Sequence, residues 1–494
     1  MRVHRRGFLK TAGLVALGPA WPAISQDASG TLVNDIHSQL NPTRVARIVP
    51  IDSVAALQRA VRRAAADRSA ICIAGGRHAM GAQQFAAGAT MLDMRPCSRV
   101  LRLDPATGIV EVEAGIMWPA LIDELVRRQA RSTRQWGIAQ KQTGADRLTI
   151  GGALAANVHG RGLTMKPMIG DVESFVLIDA QGRARSCSRS ENADLFKLAI
   201  GGYGLFGPIA TVRLRLIPRQ KIRRVVEVRT IEELPAAFEQ RIADGFQFGD
   251  FQFSIDEASD DFLRRGVFSC YKPVDAATPM PEAQKELADS DWQRLLLAAH
   301  ASKAEAFRQY SQYYLSTNGQ LYWSDTHQLG AYTDDYHKAL DQGLGAKDPA
   351  TEMITEIYVP RLRLPDFMNE VARTFRSNGV PIIYGTIRLI EKDDESVLAW
   401  AKEPYACIIF NLHVVHTPQA MDQAAEAFRS LIQMAIARGG RYYLTYHRYA
   451  SRAQVEACYP QLPEFLRLKK THDPDERFQS DWYRFYRTMF ADTR

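Results

Sequence analysis

Residues 143–162 read TGADRLTIGGALAANVHGRG, and the pair Gly151-Gly152 inside that stretch decides how the first half of the chain is understood. β-branched Thr149 and Ile150 precede the pair, and the small residues Ala153, Ala155 and Ala156 follow it. Backbone this bare admits close approach of another group, and its N–H groups can gather into a nest for an anion. A plain Gly-Gly turn has the same composition. Two further bare stretches separate the readings: AGGRHAMG at 74–81 upstream and GGYGLFGP at 201–208 downstream. Three such loops within about one domain length point to one long ligand threaded across all of them.

The surrounding chain sets bounds on that reading. Its 494 residues leave room for two or more domains. Of the formal charge of +7, Arg2, Arg5, Arg6 and Lys10 supply four, and the remaining +3 gives no nucleic-acid footprint. The six cysteines form no C-x-x-C pair, so neither a zinc site nor a disulfide scaffold is expected; a single disulfide stays open. No metal ligand is assigned. At the N-terminus, RRGFLK at 5–10 precedes an apolar run at 11–20 too short to cross a bilayer. The Arg-Arg-x-Phe-Leu-Lys order is that of a twin-arginine export signal, against the alternative of a basic tail. It predicts a signal over 1–26, cleavage near 23–26, a periplasmic or secreted protein and no membrane anchor after cleavage.

Periodicity and turn chemistry then give the order of elements. After a polar linker at 27–45 come a strand at 48–50, a helix with apolar positions 54, 57, 61 and 64, and a buried strand at 70–74. Strands follow at 90–93, 100–103 and 109–114, then a helix at 118–128. A hairpin is read at 172–179 and 184–188, a short helix at 193–200 and an alternating strand at 209–218, which closes the first domain. Beyond residue 220 the pattern becomes antiparallel strands (225–230, 246–255, 266–272) around a helix at 231–244. A charged helical stretch at 280–314, an irregular segment at 323–336, a strand–helix–strand unit over 353–389, a strand at 406–415 and a helix at 419–439 complete it.

The ordered set of the 75–81 loop, Leu148-Thr149-Ile150-Gly151-Gly152, the hairpin and the 201–209 segment resembles the FAD-binding domain of the vanillyl-alcohol oxidase / p-cresol methylhydroxylase (PCMH-type) superfamily. No G-x-G-x-x-G opens a helix after a first strand, so a Rossmann domain is not indicated. The resemblance implies an α+β fold with a two-part FAD domain over 46–218. It also implies a substrate or cap domain over 219–430, with an antiparallel sheet flanked by helices, and a segment at 431–494 returning to the FAD domain. It assigns the cofactor to Gly75, Gly76, Arg77, His78, Ala79, Met80 and Gly81 of the first loop, and to Gly144, Thr149, Gly151, Gly152, Ala155 and His159 of the second. Gly207 and Ile209 fall at the adenine end.

Family histidines bonded to the flavin stand four residues before a glycine. Counted back from Gly81, that position is Arg77, with His78 one place later. Counted back from Phe85 instead, the pattern favours His78, which is read as a candidate for covalent attachment, a histidine that only hydrogen-bonds, or one facing solvent. No cysteine near Gly151-Gly152 offers a second link. His159, in Asn157-Val158-His159-Gly160, resembles the sugar-lactone and decaprenylphosphoryl-ribose oxidases and is read as near the flavin, catalytic or structural.

Hydride transfer needs a base and positive charge near the reduced ring. Polyol and aldonolactone oxidases place Glu-x-Arg on a cap strand. Here Tyr384-Gly385-Thr386-Ile387-Arg388 matches the arginine and replaces the glutamate by Thr386. Tyr446 and His447 stand where relatives carry a lysine; His447 is either a proton acceptor or a core histidine. The function implied is oxidation of a CH–OH group of a polyol, sugar or aldonolactone, with oxygen or another electron acceptor. Cytokinin-dehydrogenase-like amine oxidation is the rival: those proteins use an aspartate where this chain has Gly144, with Asp146 displaced by two. A flavin-binding protein with little turnover is the third reading.

Overall fold

The computed structural model describes residues 30–330 and 336–491; the signal read at 1–26 lies outside them. The described residues form a mixed α+β structure built on three principal sheets. The first is a three-stranded parallel sheet in the order Arg47–Pro50, Thr90–Asp93, Ile71–Ala74. Its crossover is the helix Val54–Ala66, which starts because the Ser53 side chain accepts from the Ala56 N–H at 3.2 Å and buries Leu57, Val61 and Ala64. The second is a five-stranded sheet of Ala184–Ser188, Val172–Ile178, Ile209–Arg215, Ile109–Glu113 and Val100–Asp104, antiparallel throughout.

The third is an eight-stranded antiparallel sheet. Its order is Leu321–Trp323, Lys221–Thr230, Arg265–Pro273, Phe248–Phe253, Ile382–Ile390, Tyr405–Val415, Ala350–Pro360 and Arg441–Tyr442. The amphipathic helices Leu364–Asn378 and Pro418–Ile436 cover one face, burying Phe367, Val371, Phe375, Phe428 and Leu431. The other face is turned toward the first half of the chain. One continuous apolar core runs from Val110 and Leu121 in the first half to Phe410 and Phe428 in the second.

Several segments differ from the sequence reading. Residues 150–156 form a helix rather than an open loop: Thr149 caps it, accepting from the Gly152 N–H at 3.2 Å, and Asn157 ends it at φ 51°. The 280–314 stretch is two helices, Asp289–Ala301 and Lys303–Ser316, because the chain turns at Ser302. The polar linker holds a two-stranded pair, Thr31–Val33 with Thr43–Val45. The last sixty or so residues contain three helices without a strong apolar period in sequence: Arg452–Cys458, Leu462–His472 and Asp481–Met489. Between the last two, the chain lies along the parallel sheet. The Ile71 N–H donates to the Arg477 carbonyl at 2.8 Å, and the Gln479 N–H to the Ile71 carbonyl at 2.9 Å. No described helix is long and apolar enough to cross a membrane.

Gly385 sits in the middle of the eight-stranded sheet, where an added Cβ would fall on the Phe253 ring and 2.8 Å from the Ile409 carbonyl. Gly385→Ala is expected to lower stability by about 1–3 kcal/mol through overpacking. A melting temperature unchanged from wild type would show that the ring yields freely.

Candidate functional site

A cavity of about 890 Å³ lies between the loops of the first half and the open face of the eight-stranded sheet. Its wall takes in Gly75, Gly76, Arg77, His78, Ala79 and Met80 of the first bare loop. The second stretch contributes Gly144, Thr149, Gly151, Gly152 and Ala155, and the third Gly207 and Ile209. The sheet supplies Asp250, Gln252, Tyr384, Arg388 and Asn411, and the return segment supplies Tyr446. Strand alternation explains the sheet's share. Tyr384, Thr386 and Arg388 point to one face, and their cross-strand partners Asn411, Ile409 and Cys407 point the same way. Gly81, His159, Thr386 and His447 are not on the wall.

The glycines serve packing as much as openness. A Cβ at Gly75 would fall on the Thr149 side chain, one at Gly76 on the Arg147 carbonyl, and one at Gly207 on the Ile178 carbonyl. Among the wall glycines named here, Gly144, at φ +75°, is the one with open space where its Cβ would be. Gly75 and Gly76 are thus bare because the first loop presses on the second, and Gly207 because it presses on the strand Val172–Ile178.

The sheet side is charged. Arg388 is 3% exposed, and its Nε and Nη1 find no hydrogen-bond partner among the described residues. Glu356, fully buried on Ala350–Pro360, is hydrogen-bonded to His159 Nε2 and accepts from the Tyr446 hydroxyl at 3.2 Å. Burial alone would push the Glu356 carboxyl up; His159 and Arg388 outweigh it and hold it below the usual carboxylate range. His159 Nδ1 faces the Gly160 carbonyl at 3.0 Å. The histidine thus stands behind the wall and touches the cavity through Glu356 and Tyr446. Burial, reinforced by Glu356, raises the Tyr446 phenol well above its ordinary range, so its hydroxyl keeps its proton.

On the loop side, His78 Nδ1 is 2.8 Å from His37 Nε2, while His78 Nε2 is buried without a partner among the described residues. Burial lowers both imidazoles, His37 to about 4, so the pair is neutral near pH 7. The Thr386 hydroxyl is fully buried and unpartnered among the described residues, behind the wall rather than on it. His447 lies beside Tyr449, rings stacked 5.1 Å apart, and does not reach the cavity. Sequence reasoning missed Glu356 and His37. A lone carboxylate within the apolar run Met353–Val359 was the available signal for Glu356; His37 lies in a polar stretch that gave none.

A profile for the family described as "FAD binding domain" matches residues 45–188. This is the region that carries the first two loops. Residues 45–188 form an FAD-binding domain, and the chain is similar to PCMH-type FAD-linked oxidases. The L-gulono-1,4-lactone dehydrogenase of Mycobacterium tuberculosis is 24% identical over 400 residues, covering 80% of this chain and 85% of that protein. Cytokinin dehydrogenase 9 of Oryza sativa is 31% identical over 158 residues, 31% of this chain and 29% of that protein. The L-gulonolactone oxidase of Mus musculus is 30% identical over 145 residues, 29% of this chain and 31% of that protein. The protein is an FAD-dependent oxidoreductase that uses a small-molecule substrate and an electron acceptor. The cavity fits a flavin dinucleotide in volume and chemistry: a close-packed glycine-lined cradle at one end and an unpaired buried guanidinium at the other.

His447 gives the fold a pH dependence of known sign. Burial, partly offset by Asp35, lowers its imidazole to about 4 from 6.5. Between those values only the unfolded chain binds the extra proton, so the contribution is complete above pH 6.5 and is lost as pH falls toward 4. His447→Phe, which keeps a ring on Tyr449, should flatten that loss by about 2–3 kcal/mol. Thermal unfolding from pH 4 to 7 reads it; identical slopes for variant and wild type would mean that His447 is protonated in the fold.

Proposed function

We propose that this oxidoreductase oxidises a CH–OH carbon of a polyol, sugar or aldonolactone, with Arg388 and Tyr446 as the residues that meet the substrate. In this reading the three- and five-stranded sheets are the two halves of a PCMH-type FAD domain over 46–218. Seven strands of the eight-stranded sheet belong to the cap over 219–430, 27–45 is the linker, and 431–494 adds the eighth strand and returns to the FAD domain. The twin-arginine pattern at 1–26 supports export to the periplasm or beyond, and oxygen or another acceptor takes the electrons.

Bound FAD supplies the hydride acceptor. The loops around His78, Thr149 and Gly207 would hold it, and His78 Nε2 would be the atom free for a covalent bond to it. Arg388 Nε and Nη1 place positive charge where negative charge develops, in a water-poor site where such charge acts strongly. The Tyr446 oxygen would accept the proton of the substrate hydroxyl in concert with transfer of its own to Glu356 Oε2, so that the phenol is never ionised, and His159 steadies the carboxylate from behind. Asp250, Gln252, Tyr384 and Asn411 offer hydrogen bonds to the remaining hydroxyls of a polar substrate.

The unpaired, buried Arg388 carries this reading, because a guanidinium so placed is costly unless an electron-rich group comes to it. The amine alternative is weakened by Asp146. That side chain is ion-paired with buried Lys141, accepts from the Gly330 N–H at 2.9 Å and is absent from the cavity wall.

Anaerobic mixing with L-gulono-1,4-lactone, alditols and sugars should bleach the visible flavin band. Arg388→Lys should cut kcat/KM for the best of them about 10²-fold while the protein stays folded and yellow. Bleaching by amines alone, or by nothing in the panel, would sink the proposal. Acid precipitation tests the link to His78: wild type should give a yellow pellet and His78→Ala a yellow supernatant, whereas a yellow supernatant from wild type would exclude a covalent bond.

A further inference from the structure

Four side chains outside the flavin machinery converge on one point. Glu352 and His413 are directly opposed partners on the antiparallel strands Ala350–Pro360 and Tyr405–Val415, so both project from the same face of the sheet. His300 comes from the helix Asp289–Ala301 and His337 from the helix Tyr336–Leu344. His300 Nε2 is 3.6 Å from Glu352 Oε1, and His413 Nδ1 is 3.8 Å from the same oxygen. The three atoms lie within 4.8 Å of one another. The side chains of His300, Glu352 and His413 are 6%, 2% and 20% exposed.

Glu352 Oε1, His300 Nε2 and His413 Nδ1 have no hydrogen-bond partner among the described residues. Each orphaned polar atom of this kind costs about 1–3 kcal/mol, and three aimed at one point do not arise from packing alone. Their separations are too long for hydrogen bonds. The two distances to Glu352 Oε1 come within a few tenths of an ångström of the spacing of about 3.3–3.6 Å that a tetrahedral ion with bonds of about 2.0–2.2 Å imposes on its ligands. The second carboxylate oxygen is engaged elsewhere: Oε2 accepts from the Tyr336 hydroxyl, and His337 Nδ1 stands 2.8 Å from it. An outer partner holding one carboxylate oxygen while the other stays free is how ligating carboxylates are oriented.

We propose that His300, Glu352 and His413 bind a divalent transition-metal ion of the zinc class, Glu352 through Oε1 alone. Two imidazoles and one carboxylate form a borderline N,N,O donor set, which suits zinc, cobalt or iron(II) better than magnesium or calcium. Three protein ligands leave a position for an exchangeable oxygen ligand. Glu352 and His337 are on the cavity wall, so that position adjoins the space where the substrate is held, and a water or a substrate oxygen completes the sphere. The three ligands come from three separate elements with no spacing motif, so motif spacing could not reveal them.

The test uses the full-length flavin-loaded protein, stripped with a chelator and dialysed against Co²⁺. It should retain about one Co²⁺ per chain, with tetrahedral d–d absorption on the red side of the flavin bands, and Zn²⁺ should displace it. Glu352→Gln and the double variant His300→Ala/His413→Ala should lose at least about 10–100-fold in Co²⁺ affinity, while His472→Asn, on a distant helix, should not. Wild-type protein with its flavin spectrum intact that holds no more Co²⁺ than the surrounding buffer would overturn the site. So would unchanged affinity in either ligand variant. The titration involves no substrate, so its failure is distinct from failure of the oxidation assay. Should the double variant not fold, Glu352→Gln and the wild-type titration still decide.

Discussion

The short helix Ile150–Ala156 is held at both ends by other parts of the chain, and the geometry of the cavity follows from that. At its start, the Thr149 hydroxyl caps the Gly152 N–H while the same side chain fills the space beside Gly75. At its end, carbonyls that the helix cannot satisfy itself are met from the far half: the Tyr443 hydroxyl donates to the Ala156 carbonyl at 2.6 Å, and Trp400 Nε1 to the Asn157 carbonyl at 3.0 Å. Asn157 also donates from Nδ2 to Asp393 at 2.9 Å. Seven residues are too few to be stable as an isolated helix, so this one exists because its neighbours complete it. The two halves of the molecule are thereby referenced to each other through about two turns of helix.

That arrangement explains why the C-terminal segment matters to a site in the N-terminal half. The Gln83 side chain donates to the Leu444 carbonyl at 2.7 Å, Trp482 Nε1 reaches the same carbonyl at 3.2 Å, and the Met80 N–H donates to the Thr445 carbonyl at 2.9 Å. The loop bearing His78 is therefore seated on the return segment bearing Tyr446. Displacement of either would move both walls of the cavity, and the placing of reacting groups is where small errors cost most in rate.

Much of this was legible in the sequence, and the illegible parts share a cause. The helices with a broad apolar stripe, Val54–Ala66 and Leu364–Asn378, and the strands with clean alternation declared themselves because each buries one face locally. The three glycine stretches were recognised, and they do line one cavity, yet the reason for their bareness was only half read. Thr149 and the Arg147 carbonyl, not open space, forbid side chains at Gly75 and Gly76. Arg388 and Tyr446, both on the cavity wall, were legible because they lie on readable strands or segments. Glu356, His37 and the group around Glu352 were not, because each acquires its meaning from a partner dozens or hundreds of residues away. His447 was the converse: a titratable residue beside Tyr446, turned by one position to the opposite side and stacked on Tyr449.

The cavity is electrically graded from one end to the other. At the loop end, burial keeps His37 and His78 neutral, while Arg77 of the same loop places a positive charge on the wall. At the sheet end, one carboxylate, Glu356, is divided among His159, Tyr446 and Arg388, and only the first two are hydrogen-bonded to it. A buried guanidinium left with free donors lowers its energy by whatever electron-rich oxygen or nitrogen approaches it, and it does so more strongly as that group gains charge. Such a group stabilises a reaction in proportion to the negative charge that develops beside it, and stabilises the resting state less. The same low-dielectric surroundings that make Arg388 expensive to keep are therefore the condition under which it can lower a barrier.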